Sequence, residues 1–161
     1  EAALRPYFKL ENVRQGLFEV LNKLYGLNFK LNKEIPVYQK DVLAYEVHEA
    51  NGKLTGILYM DFYPRSSKQG GAWMTAYRKQ YYENGKNVIP IISVNYNFTA
   101  PTGNNPALLS MDEVETMFHE CGHAMHGMLS QCQYESLSGT SVPRDFVEMP
   151  SQIMENWASE P

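Results

Sequence analysis

Two histidines and a glutamate in one short segment are the residues with the clearest chemical meaning. His119-Glu120-Cys121-Gly122-His123 has the pattern H-E-x-x-H and falls within a predicted helix. Residues four apart on a helix share one face, about 6 Å apart along the axis, so both imidazoles can reach one metal ion. Glu120 is rotated about 100° from His119, which leaves its carboxylate beside the ion. The pattern therefore predicts a catalytic zinc site in which Glu120 accepts a proton from water.

A catalytic zinc ion needs a third protein ligand, and two residues are candidates. His126 shares the helix face of His119, but it lies about 10 Å further along a straight helix, which is too far for one ion. Glu148 follows His123 by 25 residues, at the start of the next predicted helix, which could fold back toward the metal. We therefore expect Glu148 to be the third ligand. The alternative is a carboxylate that only caps its own helix, in the pattern Asp145-x-x-Glu148.

Three side chains are candidates for supporting the ligands. Glu115 precedes His119 by four residues on the same face, so it could accept the second ring N–H of that histidine; the alternative is a solvated helix charge. Glu155 follows Glu148 by seven residues and could also face the site. His126 is expected to face the ligands or the substrate, or to be an ordinary buried histidine.

The metal-binding helix must be positioned by features that the sequence also predicts. Ser110 and Glu113 form a capping box, which begins a helix over 111–130. A second helix should begin between 145 and 149, with Pro150 in its first turn. The first helix has an apolar stripe opposite its metal-binding face, made of Val114, Met117, Cys121, Ala124, Met125 and Met128.

Upstream, the spacing of apolar residues predicts a helix and a β-hairpin. Leucines and valines recur at helical spacing over 12–25, and Gly26 ends that helix. Two segments rich in Val, Ile, Leu and Tyr, 42–48 and 54–62, flank the turn Asn51-Gly52, which is typical of a hairpin.

Between the hairpin and the metal-binding helix, the residue patterns predict secondary structure less clearly. Arg65 and Lys68 are expected to be exposed in a loop, and a short helix is expected over 72–83. The apolar residues in 88–98 predict a buried strand. Pro90 should either interrupt this strand or place it at the edge of a sheet. The whole pattern predicts an α+β fold, in which a small sheet with a hairpin packs against the metal-binding helix and the ligand helix that follows it.

The composition is that of one globular domain. The chain has 161 residues, of which 43% are hydrophobic and 20% charged. Its net charge of −4 argues against a nucleic-acid partner, and no apolar run approaches the roughly 20 residues of a membrane span. Cys121 and Cys132 are too far apart along the predicted helix for a disulfide, so free thiols and a cytoplasmic location are expected. A periplasmic or secreted location is the alternative if the parent chain has a leader.

Both ends of the chain suggest a piece of a larger protein. The first residue is Glu1 rather than Met, and the last predicted helix carries Ile153, Met154 and Trp157 on a face that expects a packing partner. We therefore expect residues 1–161 to be a single catalytic-core fragment. The remainder of the parent chain would complete its active-site channel.

Several segments resemble one known family. Residues 118–126 (FHECGHAMH), 138–140 (SGT) and 144–152 (RDFVEMPSQ) resemble the thimet-oligopeptidase family of zinc metallopeptidases. Residues 61–65 (DFYPR) and 70–73 (GGAW) resemble its peptidyl-dipeptidase, or dipeptidyl carboxypeptidase, branch. The resemblance extends over most of the chain, and its most specific motifs lie in the last third.

The resemblance implies that His119, His123 and Glu148 bind one zinc ion per chain and that Glu120 is the general base. It implies a zincin-like core in a mainly helical protein, with the site in a deep channel between two halves of a much longer chain. Cys121 stands where the family usually has Phe, which should change packing rather than chemistry. The family's substrate-binding Tyr and His residues lie beyond the end of this chain.

The H-E-x-x-H pattern predicts a zinc-dependent hydrolase, and the resemblance implies that it hydrolyses short peptides and releases C-terminal dipeptides. Arg65 and Lys68 are candidates for binding the terminal carboxylate of the substrate, with solvated loop charges as the alternative. Gly139, in the loop between the last two helices, is a further candidate substrate contact. Two rival functions are a non-catalytic zinc-binding module, which would have no use for Glu120, and an inactive isolated core.

Overall fold

The computed structural model describes residues 3–160, so Glu1, on which the expectation of a preceding segment partly rests, lies outside the described residues. In this range the α-helices are α1 (Leu10–Tyr25), α2 (Met111–Met128) and α3 (Met149–Asn156). The strands are β1 (Asn28–Leu31), β2 (Leu43–His48), β3 (Leu54–Asp61), β4 (Trp73–Arg78), β5 (Tyr81–Glu83), β6 (Lys86–Val88) and β7 (Ile91–Asn95). Within 3–160, no helix has the length and apolar character needed to span a membrane.

Five of the strands form one mixed sheet, in the order β1-β2-β3-β7-β4. Strands β3 and β7 run parallel, and the other neighbouring pairs are antiparallel. The predicted hairpin is confirmed: β2 and β3 pair across a turn in which Gly52 adopts a φ of 86°, a conformation that favours glycine. The α+β prediction is therefore confirmed at the level of fold class.

Helix α1 confirms the predicted upstream helix. Its buried positions are spaced by three or four residues, as expected for one apolar stripe, and Gly26 ends it with a φ of 70°. The stripe enters the same core as the inner face of the sheet and consists of Leu10, Val13, Leu17 and Leu21.

The predicted short helix over 72–83 is wrong, because this segment forms β4 and β5. Trp73, Thr75 and Tyr77 are residues that favour strands, and β4 pairs antiparallel with β7. The turn at Asn84 and Gly85, with φ of 51° and 75°, joins β5 to β6 instead of ending a helix. A long-range pairing partner therefore decides the structure of a segment whose local pattern is ambiguous.

The predicted buried strand over 88–98 is confirmed in part. Pro90 separates β6 from β7, as the interrupted alternative expected. The edge alternative is wrong, because β7 lies between β3 and β4. Pro90 precedes β7, so the sheet loses no N–H donor there, and its carbonyl accepts the N–H of Ile57 at 3.0 Å.

Helix α2 begins at the predicted capping box and packs its apolar stripe on the sheet. The Glu113 N–H donates to Ser110 Oγ at 3.2 Å, and the Ser110 N–H donates to the Glu113 carboxylate at 2.8 Å. A Cβ added to Gly127 would lie only 2.6 Å from Ile92 Cδ1, so the end of α2 rests directly on β7. All six predicted stripe residues are buried.

The expected exposure of Lys68 is wrong. Its side chain is only 1% exposed, because Asp61, buried at the end of β3, requires positive charge beside it. The Lys68 ammonium donates to the Asp61 carboxylate at 2.9 Å, to the Asp61 carbonyl at 3.1 Å and to the Tyr63 carbonyl at 2.9 Å. Arg65 is half-buried and donates to the same carboxylate at 3.0 Å.

Removing the Asp61 carboxylate should destabilise the fold strongly. Asp61→Ala leaves the buried Lys68 ammonium without its counter-charge, and we expect the free energy of unfolding to fall by about 3–5 kcal/mol in urea denaturation. Glu49→Ala is the matched control, since it removes an exposed partner of Lys53 and should cost less than about 1 kcal/mol. Equal losses in the two variants would contradict the buried cluster.

Candidate metal centre

Helix α2 presents His119 and His123 on the same face, one turn apart. Their ring centroids are 4.9 Å apart, and the ring planes are nearly perpendicular, at 84°. His123 is buried and His119 is partly exposed. The spacing that predicted a shared metal-binding face therefore produces two converging imidazoles.

The structure brings Glu148 to these two rings. Its Oε2 lies 3.2 Å from His119 Nε2 and 3.1 Å from His123 Nε2. Glu148 is the residue immediately before α3, and its side chain makes no capping hydrogen bond to that helix. The structure therefore does not support the alternative, in which the Glu148 carboxylate only caps its helix.

The donor set fits a zinc ion. One ligand atom from each of the three residues lies within 4.8 Å of the others. Donors around a tetrahedral zinc lie about 3.3 Å apart, which is close to the spacings from Glu148 to the two rings. Burial lowers the pKa of His123, although the Glu148 charge opposes this, so the imidazole favours the neutral form that binds metals.

The charge state of Glu148 also suits a ligand. Burial raises its pKa, but the Ser151 hydroxyl and the two histidines outweigh this effect and hold the pKa below its ordinary value. The carboxylate is therefore ionised at neutral pH, as metal binding requires.

Glu120 lies in the same cavity as the three candidate ligand residues. This cavity has a volume of about 350 Å³ and is also lined by Trp73 and Met74 of β4 and by Thr140. Glu120 is only 6% exposed, and burial raises its pKa to about 7; the His119 charge opposes the shift and the Glu148 charge adds to it. A carboxylate with a pKa near neutrality is suited to accepting and returning a proton.

Gly122 fixes the approach of α3 to α2, and sequence reasoning missed this role. A Cβ placed on Gly122 would lie 2.5 Å from the Cα of Ser151 and 2.8 Å from the carbonyl oxygen of Pro150. Only glycine permits this contact, which holds the start of α3, and with it Glu148, beside the histidines. A glycine in the middle of a predicted helix was the available signal, because it costs about 1 kcal/mol there and so suggests a packing reason.

Glu155, and not Glu115, contacts a histidine of the site. Glu155 Oε1 lies 2.5 Å from His119 Nδ1, the ring nitrogen that faces away from Glu148. This contact favours the tautomer that leaves the Nε2 lone pair free for a metal. Glu115 is exposed on α2 and makes no hydrogen bond to His119 in the described part of the chain.

His126 lies outside the group of converging ligands, as the helix spacing predicted. It lines a separate, largely apolar cavity with Tyr25, Met125 and Met154. Its Nδ1 is buried without a hydrogen-bond partner among residues 3–160, and burial lowers its pKa. In the described part of the chain, its ring nitrogens therefore make no hydrogen bond by which His126 could orient the three candidate ligands.

None of the three predicted substrate contacts is among the residues that line the metal cavity. Lys68 uses all of its three N–H donors on Asp61 and Tyr63, so none is left for a substrate carboxylate. Arg65 lines a different cavity, beside Tyr38. Gly139 has a φ of 59° and packs against α2, while the next residue, Thr140, borders the metal cavity.

The sequence interpretation also missed the contribution of β4 to the cavity, since it expected a helix there. The alternation of Trp73, Thr75 and Tyr77 was the signal that could have identified a strand. As a strand, the segment places Trp73 and Met74 beside the candidate metal ligands.

The fold and the site together define a class: a candidate metal centre with the H-E-x-x-H pattern on an α+β core, with a third candidate ligand just before the next helix. The family model of peptidase family M3 matches residues 1–161, so the chain belongs to this family. The resemblance to the thimet-oligopeptidase family is confirmed by this match.

Similar proteins come from bacteria and a eukaryote. The chain is 45% identical over 162 residues to the dipeptidyl carboxypeptidase of Escherichia coli (strain K12) and 43% identical over 160 residues to oligopeptidase A of that strain. It is 39% identical over 160 residues to the thimet-like oligopeptidase of Dictyostelium discoideum. These matches cover 100%, 98% and 96% of this chain, but 24%, 24% and 23% of the respective relatives. The chain therefore spans about a quarter of the length of the curated relatives it matches.

The contact of Glu155 with His119 predicts that Glu155 contributes to the zinc affinity of the site. Glu155→Gln removes the negative charge that orients the ring, and we expect the zinc affinity of the full-length protein to fall 10–100-fold, measured by competition with a chromophoric chelator. Glu115→Gln is the control, because it changes the same type of residue on the exposed side of α2 and should leave the affinity unchanged. If the two variants lose affinity equally, Glu155 does not support His119.

Proposed function

We propose that the protein containing this chain hydrolyses peptide bonds in short peptides, with zinc held by His119, His123 and Glu148. The observation that carries the proposal is that these side chains converge on one side of a cavity that also contains the buried carboxylate of Glu120. Membership of peptidase family M3 supports the reaction class.

We place the protein in the cytoplasm as part of this proposal, because both cysteines are free.

The chemistry divides between the ion and the protein. When bound, zinc supplies Lewis acidity, which polarises the scissile carbonyl and makes water a stronger nucleophile. Glu120 accepts the proton of the attacking water and then donates it to the departing amine. Its buried position keeps the pKa close to neutrality, so the same carboxylate can perform both transfers. Glu155 holds the His119 ring in the orientation that directs Nε2 into the site.

Strand β4 gives the site a means of holding an extended peptide. It is the last strand of the sheet and borders the metal cavity through Trp73 and Met74. An edge strand offers backbone N–H and C=O groups to which an extended peptide can add as a further strand. Backbone recognition of this kind suits an enzyme that cleaves short peptides of varied sequence.

We further propose that the products are C-terminal dipeptides. The match to a protein named dipeptidyl carboxypeptidase supports this, and the comparable match to oligopeptidase A makes internal cleavage the alternative. The cation that binds the substrate's terminal carboxylate is not Lys68, whose donors are all used within the fold. We expect it to come from the remainder of the parent chain, which would also complete the active-site channel.

Replacing the proposed base tests the mechanism. Glu120→Gln keeps the shape of the side chain but removes its proton affinity, so we expect the full-length enzyme to retain zinc and to lose activity about 10²–10⁴-fold. Cleavage of a quenched fluorescent peptide and elemental analysis measure the two properties, with Glu115→Gln as the control. Normal cleavage by Glu120→Gln would refute the base assignment. A wild-type protein that binds zinc but cleaves nothing would favour the non-catalytic module.

Product analysis tests the cleavage pattern. The full-length enzyme should release dipeptides from the C-terminus of a short peptide, and amidation of that terminus should strongly reduce the rate because it removes the recognised charge. Mass spectrometry of the products over time distinguishes this from internal cleavage. Internal products formed equally fast from the free and amidated peptides would show oligopeptidase activity instead.

A further inference from the structure

A buried serine contacts the carboxylate of the proposed ligand Glu148. Ser151, in the first turn of α3, has no exposed surface, and its Oγ lies 2.9 Å from Glu148 Oε2. Oε2 is also the atom that approaches both imidazoles, at 3.2 Å from His119 Nε2 and 3.1 Å from His123 Nε2. One hydroxyl group therefore touches the oxygen on which the two histidines converge.

The hydroxyl proton has two candidate acceptors, and the surrounding hydrogen bonds favour one of them. Ser151 Oγ also lies 2.9 Å from the backbone carbonyl of Glu148. That carbonyl already accepts the backbone N–H of Gln152 at 2.9 Å. A hydroxyl has one proton to donate, and a carboxylate is the stronger acceptor because it is charged. The proton is therefore directed at Oε2 of Glu148.

The position of Ser151 is itself fixed by α2. A Cβ placed on Gly122 would lie 2.5 Å from the Ser151 Cα and 3.0 Å from its backbone nitrogen, so this part of α3 rests directly on the helix that carries both histidines. The side chain of Glu148, by contrast, is 49% exposed and has three rotatable bonds. Ser151 is thus the link between the backbone contact of the two helices and the carboxylate.

We propose that Ser151 is a positioning residue of the metal centre, whose hydroxyl holds the Glu148 carboxylate between the two imidazoles before the ion binds. Zinc then meets an ordered donor set, and its binding does not have to order a mobile side chain. This inference rests on the proposed zinc site. It gives Ser151 a role in metal affinity through Glu148, without contact with the ion or the substrate.

Removing the hydroxyl tests the inference in the metal-free full-length protein. Ser151→Ala should raise the Kd for zinc 10–100-fold, the range for groups that orient a metal ligand, measured by competition with a chromophoric chelator. Ser138→Ala is the matched control, because Ser138 is another fully buried serine and its Oγ contacts Gln80. It should leave the Kd unchanged. Circular dichroism and thermal unfolding establish that each metal-free variant is folded.

A double-mutant cycle separates positioning from general support of the fold. In a Glu148→Ala background, Ser151→Ala should have no further effect on the Kd, because no carboxylate remains to be held. Ser151→Gly also removes the hydroxyl and replaces Ser151→Ala if that variant does not fold. The proposal is overturned if Ser151→Ala binds zinc like the wild type, or if its loss persists without Glu148. A folded wild-type full-length protein that binds no zinc would overturn the metal centre itself, and the inference with it.

Discussion

The close approach of α3 to α2 at Gly122 is the constraint on which the site depends. Both histidines belong to α2, and the third candidate ligand precedes α3, so the donor set exists only where the two helices are in contact. Any side chain at position 122 would collide with the backbone of Pro150 and Ser151. Glycine in the middle of a helix costs about 1 kcal/mol relative to alanine, and the packing of α2 on the sheet offsets this cost.

The sheet holds the other side of the same helix. Gly127 lies against Ile92, and a Cβ on Gly56 would lie 2.3 Å from the Met128 sulfur, so α2 is fixed at its C-terminal end by two glycine contacts. The helix therefore has one face in the core and one face at the site. Strand β4 connects the two, because it pairs with β7 in the sheet and lines the metal cavity with Trp73 and Met74.

Burial shifts the pKa values of two groups in the site. The same partial exclusion of water that lowers the pKa of His123 raises the pKa of Glu120 to about 7. One effect favours an imidazole that can bind a metal, and the other favours a carboxylate that can exchange protons near neutral pH. Glu148 differs because the Ser151 hydroxyl and the histidines stabilise its charged form. In one cavity, His123 is thus suited to binding a metal, Glu120 to exchanging protons and Glu148 to binding the metal as an ionised carboxylate.

Local geometry explains which parts could be predicted from the sequence. The convergence of His119 and His123 follows from helix periodicity alone, and the capping box that starts α2 is a local pattern. Strand β4 was missed because its short alternation of strand-favouring residues is a weak signal without its pairing partner, β7, which lies outside the segment. The sequence also could not show whether Glu115 or Glu155 contacts His119, because this depends on the direction in which α3 crosses α2. The burial of Lys68 depends on Asp61, whose own burial no local pattern reveals.

X-ray absorption at the zinc K edge, on the full-length protein loaded with one equivalent of zinc, tests the central claim most directly. We predict a shell of nitrogen and oxygen donors at about 2.0–2.2 Å, with the scattering pattern of two imidazoles and without sulfur. The Glu148→Ala variant should lose one protein oxygen donor and keep both imidazoles. A sulfur donor at about 2.3 Å, fewer than two imidazoles, or a spectrum unchanged by Glu148→Ala would contradict the account.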